Sequence, residues 1–308
     1  MMTVVEVDPE QQAVLTNRRG RIPLLAALIL ASGFVAMMVH SAGYFRLEIP
    51  WASSMPVATV RRMTDAPVLG TGRCLDFMAP LSAGRADRLA AELAAMKPST
   101  VVDLGCGWGE LLLRILAACP DARGVGVDTH GPDLVRGRHN AAARSLSDRV
   151  TFIEGPAAEH LGAADVLINL GAHQALGDVA EALRALHDAV NPGGRVLFGA
   201  EFWEHPPTAG ELANMWPGIS ADDCGDLAGL VDRAVAAGFR PLRIETATAG
   251  EWEEFESGLA ADAEAWLLTH ADHPEAGEVR AKLDAQRDIW LRGHRNVMGF
   301  AYLTLGRS

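Results

Sequence analysis

The stretch VVDLGCGWGE, Val101 to Glu110, decides the fold of this chain. A short apolar run ends in an acid, Asp103, and a loop with Gly105, Gly107 and Gly109 follows. Leu111, Leu112, Ile115 and Leu116 then recur at helical spacing up to Pro120. The order is strand, tight turn, helix. Such a turn brings backbone amides and a helix N-terminus to one point, which suits a bound cofactor.

Reading outward extends the pattern. Ala79 to Met96 is predicted as a helix with Ser82 as N-cap, ended by Lys97-Pro98. Strands are expected at Thr100–Leu104, Gly124–Asp128, Val150–Glu154, Ala164–Leu170 and Arg195–Gly199. Helices fall between them at about Gly109–Cys119, Asp133–Leu146 and Asp178–Val190, the last stopped by the run NPGG. Short apolar strands alternating with amphipathic helices make a parallel sheet covered on both faces. Its crossovers are right-handed, and its ligands bind at the carboxyl ends of the strands. Beyond Glu201 the pattern changes to an irregular region up to Gly225. A helix Leu227–Ala237, a strand from Arg240, helical stretches Glu251–His270 and Pro274–Arg292, and a strand Val297–Leu305 follow. Roughly fifty residues between the last two strands are far more than a hairpin loop needs, so a helical cap is expected there.

The glycine loop discriminates between cofactors. The dinucleotide fingerprint is G-x-G-x-x-G, but the third glycine here comes one residue early and Glu110 occupies its slot. Asp103 aims a carboxylate at the loop. It repels a pyrophosphate and attracts an ammonium group. A cofactor with a cationic amino-acid tail, an adenosine and no phosphate fits, which describes S-adenosyl-L-methionine. Asp128, at the tip of the second strand, is placed for ribose hydroxyls, as an acid there also is in dinucleotide enzymes.

Composition narrows the partners. The chain has 308 residues and a net charge of -12, with the acids concentrated in its last third. No basic stripe offsets them, which argues against a nucleic-acid substrate. Cys74, Cys106, Cys119 and Cys224 are scattered without metal-ligand spacing, so neither a metal site nor a disulfide framework is expected.

VVDLGCGWGE, GVGVD, RVTFIEG and NPGGRVLFG together resemble the successive motifs of a class I S-adenosylmethionine-dependent methyltransferase. GAEFW, GEWEEFE and MGFAYLTL further resemble a group of small bacterial methyltransferases of unassigned substrate. The resemblance covers about Met63 to Ser308. It implies an α/β, Rossmann-like, doubly wound sheet of seven strands, the last antiparallel and inserted between the fifth and sixth. It implies two parts: an N-terminal extension, 1–62, and a methyltransferase domain, 63–308, with cap elements at about 201–225 and 249–295. Asp103, Gly105 and Gly107 would hold the methionine end of S-adenosyl-L-methionine and Asp128 the ribose, with Cys106 and Thr129 also at the cofactor. Ala157 and Leu170 would complete the site. Many relatives carry an acid just after the third strand for the adenine amino group. Here the run is Gly155-Pro156-Ala157, flanked by Glu154 and Glu159, so backbone near Ala157 is the expected substitute.

Methyl transfer from a sulfonium is an in-line displacement, and a general base is needed only if the acceptor must lose a proton. Glu201, after the fifth strand, and His173, after the fourth, are the catalytic candidates. A salt bridge to the cap and local loop packing are the structural alternatives for them. Trp203 and Trp216 read as cap packing, with an aromatic box for a cation as the alternative. Leu75 to Ser82 is expected to close over the cofactor as a lid, with Phe77 and Pro80 on it. The acceptor is expected to be a small molecule. Competing readings are a protein that binds S-adenosyl-L-methionine without methyl transfer, and a nicotinamide oxidoreductase on a similar sheet.

The apolar run Ile22–Val39, preceded by Arg18, Arg19 and Arg21, is about long enough to span a bilayer. It reads as an anchor, a signal peptide, or an over-extended start ahead of Met55 or Met63. Lysine occurs only at Lys97 and Lys282 among many arginines, a mark of GC-rich coding in which open frames run long. A methyl donor made inside cells favours a cytoplasmic domain. Membrane association, the alternative, would come through 22–39 alone.

Overall fold

A computed structural model describes residues 66–308. The segment 22–39, with the rest of the 1–62 extension, lies outside the described residues. No helix among those described is long and apolar enough to cross a membrane.

Helix α1, Ala83–Ala94, begins where the Ser82 hydroxyl accepts the Arg85 amide, as its N-cap role requires. Lys97, in a left-handed conformation at φ 54°, turns the chain out of it, and Pro98 prevents its resumption. Then come β1 Thr100–Leu104, α2 Glu110–Ala118, β2 Arg123–Asp128, α3 Gly131–Ala143 and β3 Val150–Glu154. They are followed by β4 Ala164–Leu170, α4 Val179–Ala189, β5 Val190–Trp203, the short α5 Ala209–Ala213 and α6 Leu227–Ala236. The chain continues with β6 Arg240–Thr246, α7 Ala249–Thr269, α8 Ala276–Asp288, a π-helical turn Ile289–His294 and β7 Met298–Gly306.

The strands form one sheet in the order β3-β2-β1-β4-β5-β7-β6. β1 pairs in parallel with β2 and β4, and β7 runs antiparallel between β5 and β6. The order therefore reverses at β1/β4, and the glycine loop leaves β1 at that switch point. The seven-stranded α/β sheet and its inserted antiparallel strand are as the resemblance implied.

The expected element bounds hold within a few residues, with one larger difference. The fifth strand was read as Arg195–Gly199, but β5 runs on to Trp203 and starts at Val190. Its continuation is enforced by β7, which pairs with it residue for residue from Arg195 to Trp203. An acid at Glu201 hides this in the sequence. The NPGG run does stop α4, yet it lies inside the strand as an irregularity, with Gly193 at φ 78° and a register shift opposite Ala164/Val166.

Burial follows the strand alternation. Leu197, Phe300 and Tyr302 face the layer of α1, α2 and α3, with Leu89, Leu112 and Leu134. Phe198, Ala200 and Phe202 face the opposite layer, with Leu183 of α4 and Leu230 of α6. Leu75, Trp108, Trp203, Met215, Phe255 and Met298 form a third cluster. It joins the glycine loop to both expected cap regions, over the carboxyl end of β5.

Candidate functional site

The glycine loop is pinned by its neighbour strand. Gly105 and Cys106 donate their amides to the Val127 carbonyl at 2.8 and 3.0 Å, and Gly107 donates to Asp128 Oδ2 at 2.8 Å. All three loop glycines have positive φ, but their surroundings differ. A Cβ on Gly105 would lie 2.3 Å from the Ala172 Cβ, so that glycine serves the packing of the loop on the turn after β4. A Cβ on Gly109 would lie 2.6 Å from the Phe152 ring. At Gly107 a Cβ meets nothing closer than 4.0 Å, so the space over its backbone is open. Glu110, in the slot of the dinucleotide glycine, turns into the protein and accepts from Arg114 and Arg144 at 2.8 to 2.9 Å. It ties α2 to the end of α3.

Two acids converge on this loop. Asp103 is 5% exposed. Burial first, and the charge of Asp128 second, push its pKa up to about 8, with no hydrogen bond acting in the other direction. Asp128 accepts the Gly107 amide on one oxygen and the His130 amide on the other, both at 2.8 Å. Cys106 lies against the same pair: its thiol is pushed well up by burial, then by Asp103 and Asp128. Thr129 is exposed just beyond, and Gly155 donates to the Asp128 carbonyl at 3.0 Å, bringing the turn that carries buried Ala157 alongside. Glu154 packs against Gly131, its Oε2 2.7 Å from where a Cβ would stand. Leu170 ends β4, two residues past the Ile168 that pairs with Asp103. The eight expected cofactor contacts thus gather at one end of the sheet.

The two catalytic candidates do not meet. Glu201 is 6% exposed, and its Oε1 has no hydrogen-bond partner. Burial pushes its pKa up to about 7, opposed only by its own backbone amide. It shares a face of β5 with Leu197, Gly199 and Trp203, and pairs with Phe300 of β7. The ring of His173 instead lies 6.3 Å from Phe198, which points to the other face of β5. Burial lowers the His173 pKa to about 4, and its Nδ1 is unpartnered. Trp203 is buried and donates to the Ala221 carbonyl at 2.9 Å, and Trp216 stacks on His294 with ring centroids 5.0 Å apart. Both indoles are engaged in the cap.

Several features escaped the sequence reading. Arg136 of α3 lies 3.8 Å over the Trp108 ring and donates to the carbonyls of Gly72 and Leu75 at 3.0 and 2.6 Å. Trp108 in turn donates to the Asp76 carbonyl at 2.7 Å. The segment expected as a lid is therefore clamped onto the glycine loop, although Phe77 packs into the core beneath it. Glu251 gathers the Ser82 hydroxyl and the Arg85 guanidinium at 2.7 to 2.8 Å while capping α7 with Thr248. Despite burial, these donors hold its pKa down at about 2. The Thr248-x-x-Glu251 spacing is a readable capping box. Nothing in the sequence marks its partner Arg85, or Arg136. Asn169 is fully buried on β4, donating to the Leu104 carbonyl at 2.9 Å with its own oxygen unpartnered.

Comparison with known proteins agrees with this fold. Residues 102–196 match the family described as "Methyltransferase domain". The chain is similar to the Escherichia coli K12 protein YjhP, 29% identical over 218 residues, covering 68% of this chain and 86% of that protein. It is similar to a SAM-dependent methyltransferase of Geobacter sulfurreducens solved with S-adenosyl-L-homocysteine, at 25% identity and TM-score 0.69, covering 77% of this chain and 96% of that one. A SAM-dependent methyltransferase of Thiobacillus denitrificans, 24% identical, shares the fold with the same TM-score, 0.69, and the same coverage, 77% and 96%.

Proposed function

The chain carries a methyltransferase domain with the class I S-adenosylmethionine-dependent fold, and we propose that it moves a methyl group from S-adenosyl-L-methionine to a small-molecule acceptor by in-line displacement. The observation that carries this reading is Asp103, a buried acid with no hydrogen bond to offset its burial, beside a second acid and under an open glycine. An ammonium group arriving there supplies the missing counter-charge, whereas a pyrophosphate adds to the repulsion.

The residues present fit the cofactor. Asp103 takes the ammonium, and the open backbone of Gly107 admits the amino-acid tail. Asp128 has both oxygens engaged by loop amides, and each oxygen keeps a second lone pair for a ribose hydroxyl. Thr129, Ala157 and Leu170 border the adenosine, and Cys106 lines the turn. When bound, S-adenosyl-L-methionine supplies the methyl group and a neutral sulfide as leaving group. The chain's own work is then to hold the acceptor in line, keep water out and accept a proton. Glu201 is the proton acceptor in this reading. His173 is on the other side of β5, held neutral by burial, and has a positioning role at most.

A thermal-shift titration tests the cofactor assignment. S-adenosyl-L-homocysteine raises the midpoint and NAD leaves it unchanged, because only a ligand of the native state stabilises it. The opposite pattern discards the assignment.

A further inference from the structure

We propose that the acceptor is an amine, bound as its ammonium ion at Glu201 and methylated on nitrogen. This rests on the reading of the site as one that uses S-adenosyl-L-methionine, and it adds the substrate class.

Glu201 stands on a central strand, paired in register with Phe300, with its Oε1 sealed from solvent and unpartnered. Among the described residues the other buried glutamates are paired. Glu110 has Arg114 and Arg144, and Glu251 has Arg85. No cation among the described residues acts on Glu201. The nearby Cys224 thiol feels the carboxylate, and is pushed up to about 12 by burial and then by Glu201. Arg233 also reaches that thiol, but it is exposed on α6, which packs on the opposite face of the sheet. The arginines bordering the loop and lid are engaged as well, Arg85 with Glu251 and Glu245, and Arg136 with two carbonyls.

An acceptor with a carboxylate or phosphate at the reacting end would therefore meet a like charge and no counter-charge. An ammonium ion supplies the missing cation. Proton transfer also favours an amine here. The ammonium gives its proton to the Glu201 carboxylate, and both charges disappear, which a low-dielectric site favours. A phenol would only move the negative charge from one oxygen to another. The nitrogen lone pair then forms a bond to the methyl carbon as the carbon–sulfur bond breaks, its electron pair leaving with sulfur. The product is a methylated ammonium ion, and the loss of charge before transfer removes repulsion from the sulfonium.

The test is transfer of labelled methyl from S-adenosyl-L-methionine into a small-molecule cell extract by the full chain, with fractionation of the product. An N-methyl product binds a cation exchanger in acid and survives mild base. A methyl ester releases its label in base, and a methyl ether or thioether is told from N-methyl by the fragment ions of the labelled product in mass spectrometry. The expected outcome is base-stable N-methyl label on the resin, reduced at least about hundredfold by Glu201→Gln. That variant should keep its thermal shift with S-adenosyl-L-homocysteine. Label in an ester, ether or thioether, or undiminished labelling by Glu201→Gln, overturns the inference. So does an absence of label while the thermal shift persists, and that result leaves the cofactor reading standing. Loss of both label and thermal shift in the unmodified protein removes both.

Discussion

Two buried acids occupy the two ends of the site, and they keep different company. Asp103 sits in the half built from β1, β2 and the glycine loop, where backbone amides are tied strand to loop and a second acid stands close. Glu201 sits in the half built from β5 and β7, paired with Phe300 and close to the Cys224 thiol. The first half is fixed mainly by the chain's own hydrogen bonds, so its geometry is set before any ligand arrives. The second is held by side-chain packing around one orphaned carboxylate, an arrangement that leaves the partner to be supplied from outside. In the proposed reading the first half takes the cofactor and the second the acceptor, which is what a donor common to many acceptors requires.

The sharpest way to break this division is to neutralise each acid in turn. Asp103→Asn should weaken S-adenosyl-L-homocysteine by about 10²- to 10³-fold in calorimetry, the cost of removing one partner of a buried charge pair. Glu201→Gln should change that affinity by no more than about twofold. Equal losses from both would mean that the two halves are one.

Stability against pH separates Glu201 from Glu251, two glutamates with opposite surroundings. The Glu201 pKa is raised to about 7 in the fold, so the folded state holds more protons than the unfolded one between pH 4.5 and 7. Its contribution is present below pH 4.5 and is lost as pH rises through 7, a change of about 3 kcal/mol. Glu201→Gln should flatten that limb of a denaturation series. The Glu251 pKa is lowered to about 2, so its contribution is present above pH 4.5 and is lost as pH falls toward 2. Glu251→Gln should therefore remove an acid-side loss and leave the neutral limb unchanged.

Within the cofactor half, the glycines sharpen the picture. Gly105→Ala combines positive φ with the approach to Ala172 and should cost about 2–4 kcal/mol by denaturant titration. Gly107→Ala has the backbone term alone, about 1–2 kcal/mol, and should lose more ligand affinity than its stability cost suggests. The smallest effect is on the affinity itself. With Asp103 at about 8, affinity for S-adenosyl-L-homocysteine should fall about tenfold for each pH unit below 8. Above that point the ligand's own amine, with an ordinary value of about 8, begins to lose its charge.

The sequence was most readable where backbone dictates chemistry. Gly105 and Gly107 announce a tight turn, because positive φ leaves few alternatives, whereas Asp128 reads equally as the acid of a dinucleotide site. The parallel sheet followed from apolar runs alternating with amphipathic helices, and the place of β7 from the family likeness, while the order of the other strands came from the structure. The length of β5 was not readable, because an acid at a buried position looks like the start of a loop until the antiparallel partner is in place. The clamp of Arg136 on Trp108 and the tie from Arg85 to Glu251 were equally hidden. Each joins residues distant in the chain, and neither spacing nor propensity records such meetings.

β7 has a consequence for how the molecule is made. It fills the slot between two strands that emerge from the ribosome before it. Until it is synthesised, β5 has one open edge and Glu201 has no cover from Phe300. A nascent chain that paused ahead of Met298 would expose that edge to other chains and leave the acid wet, so premature termination there should yield aggregates rather than a partly active enzyme.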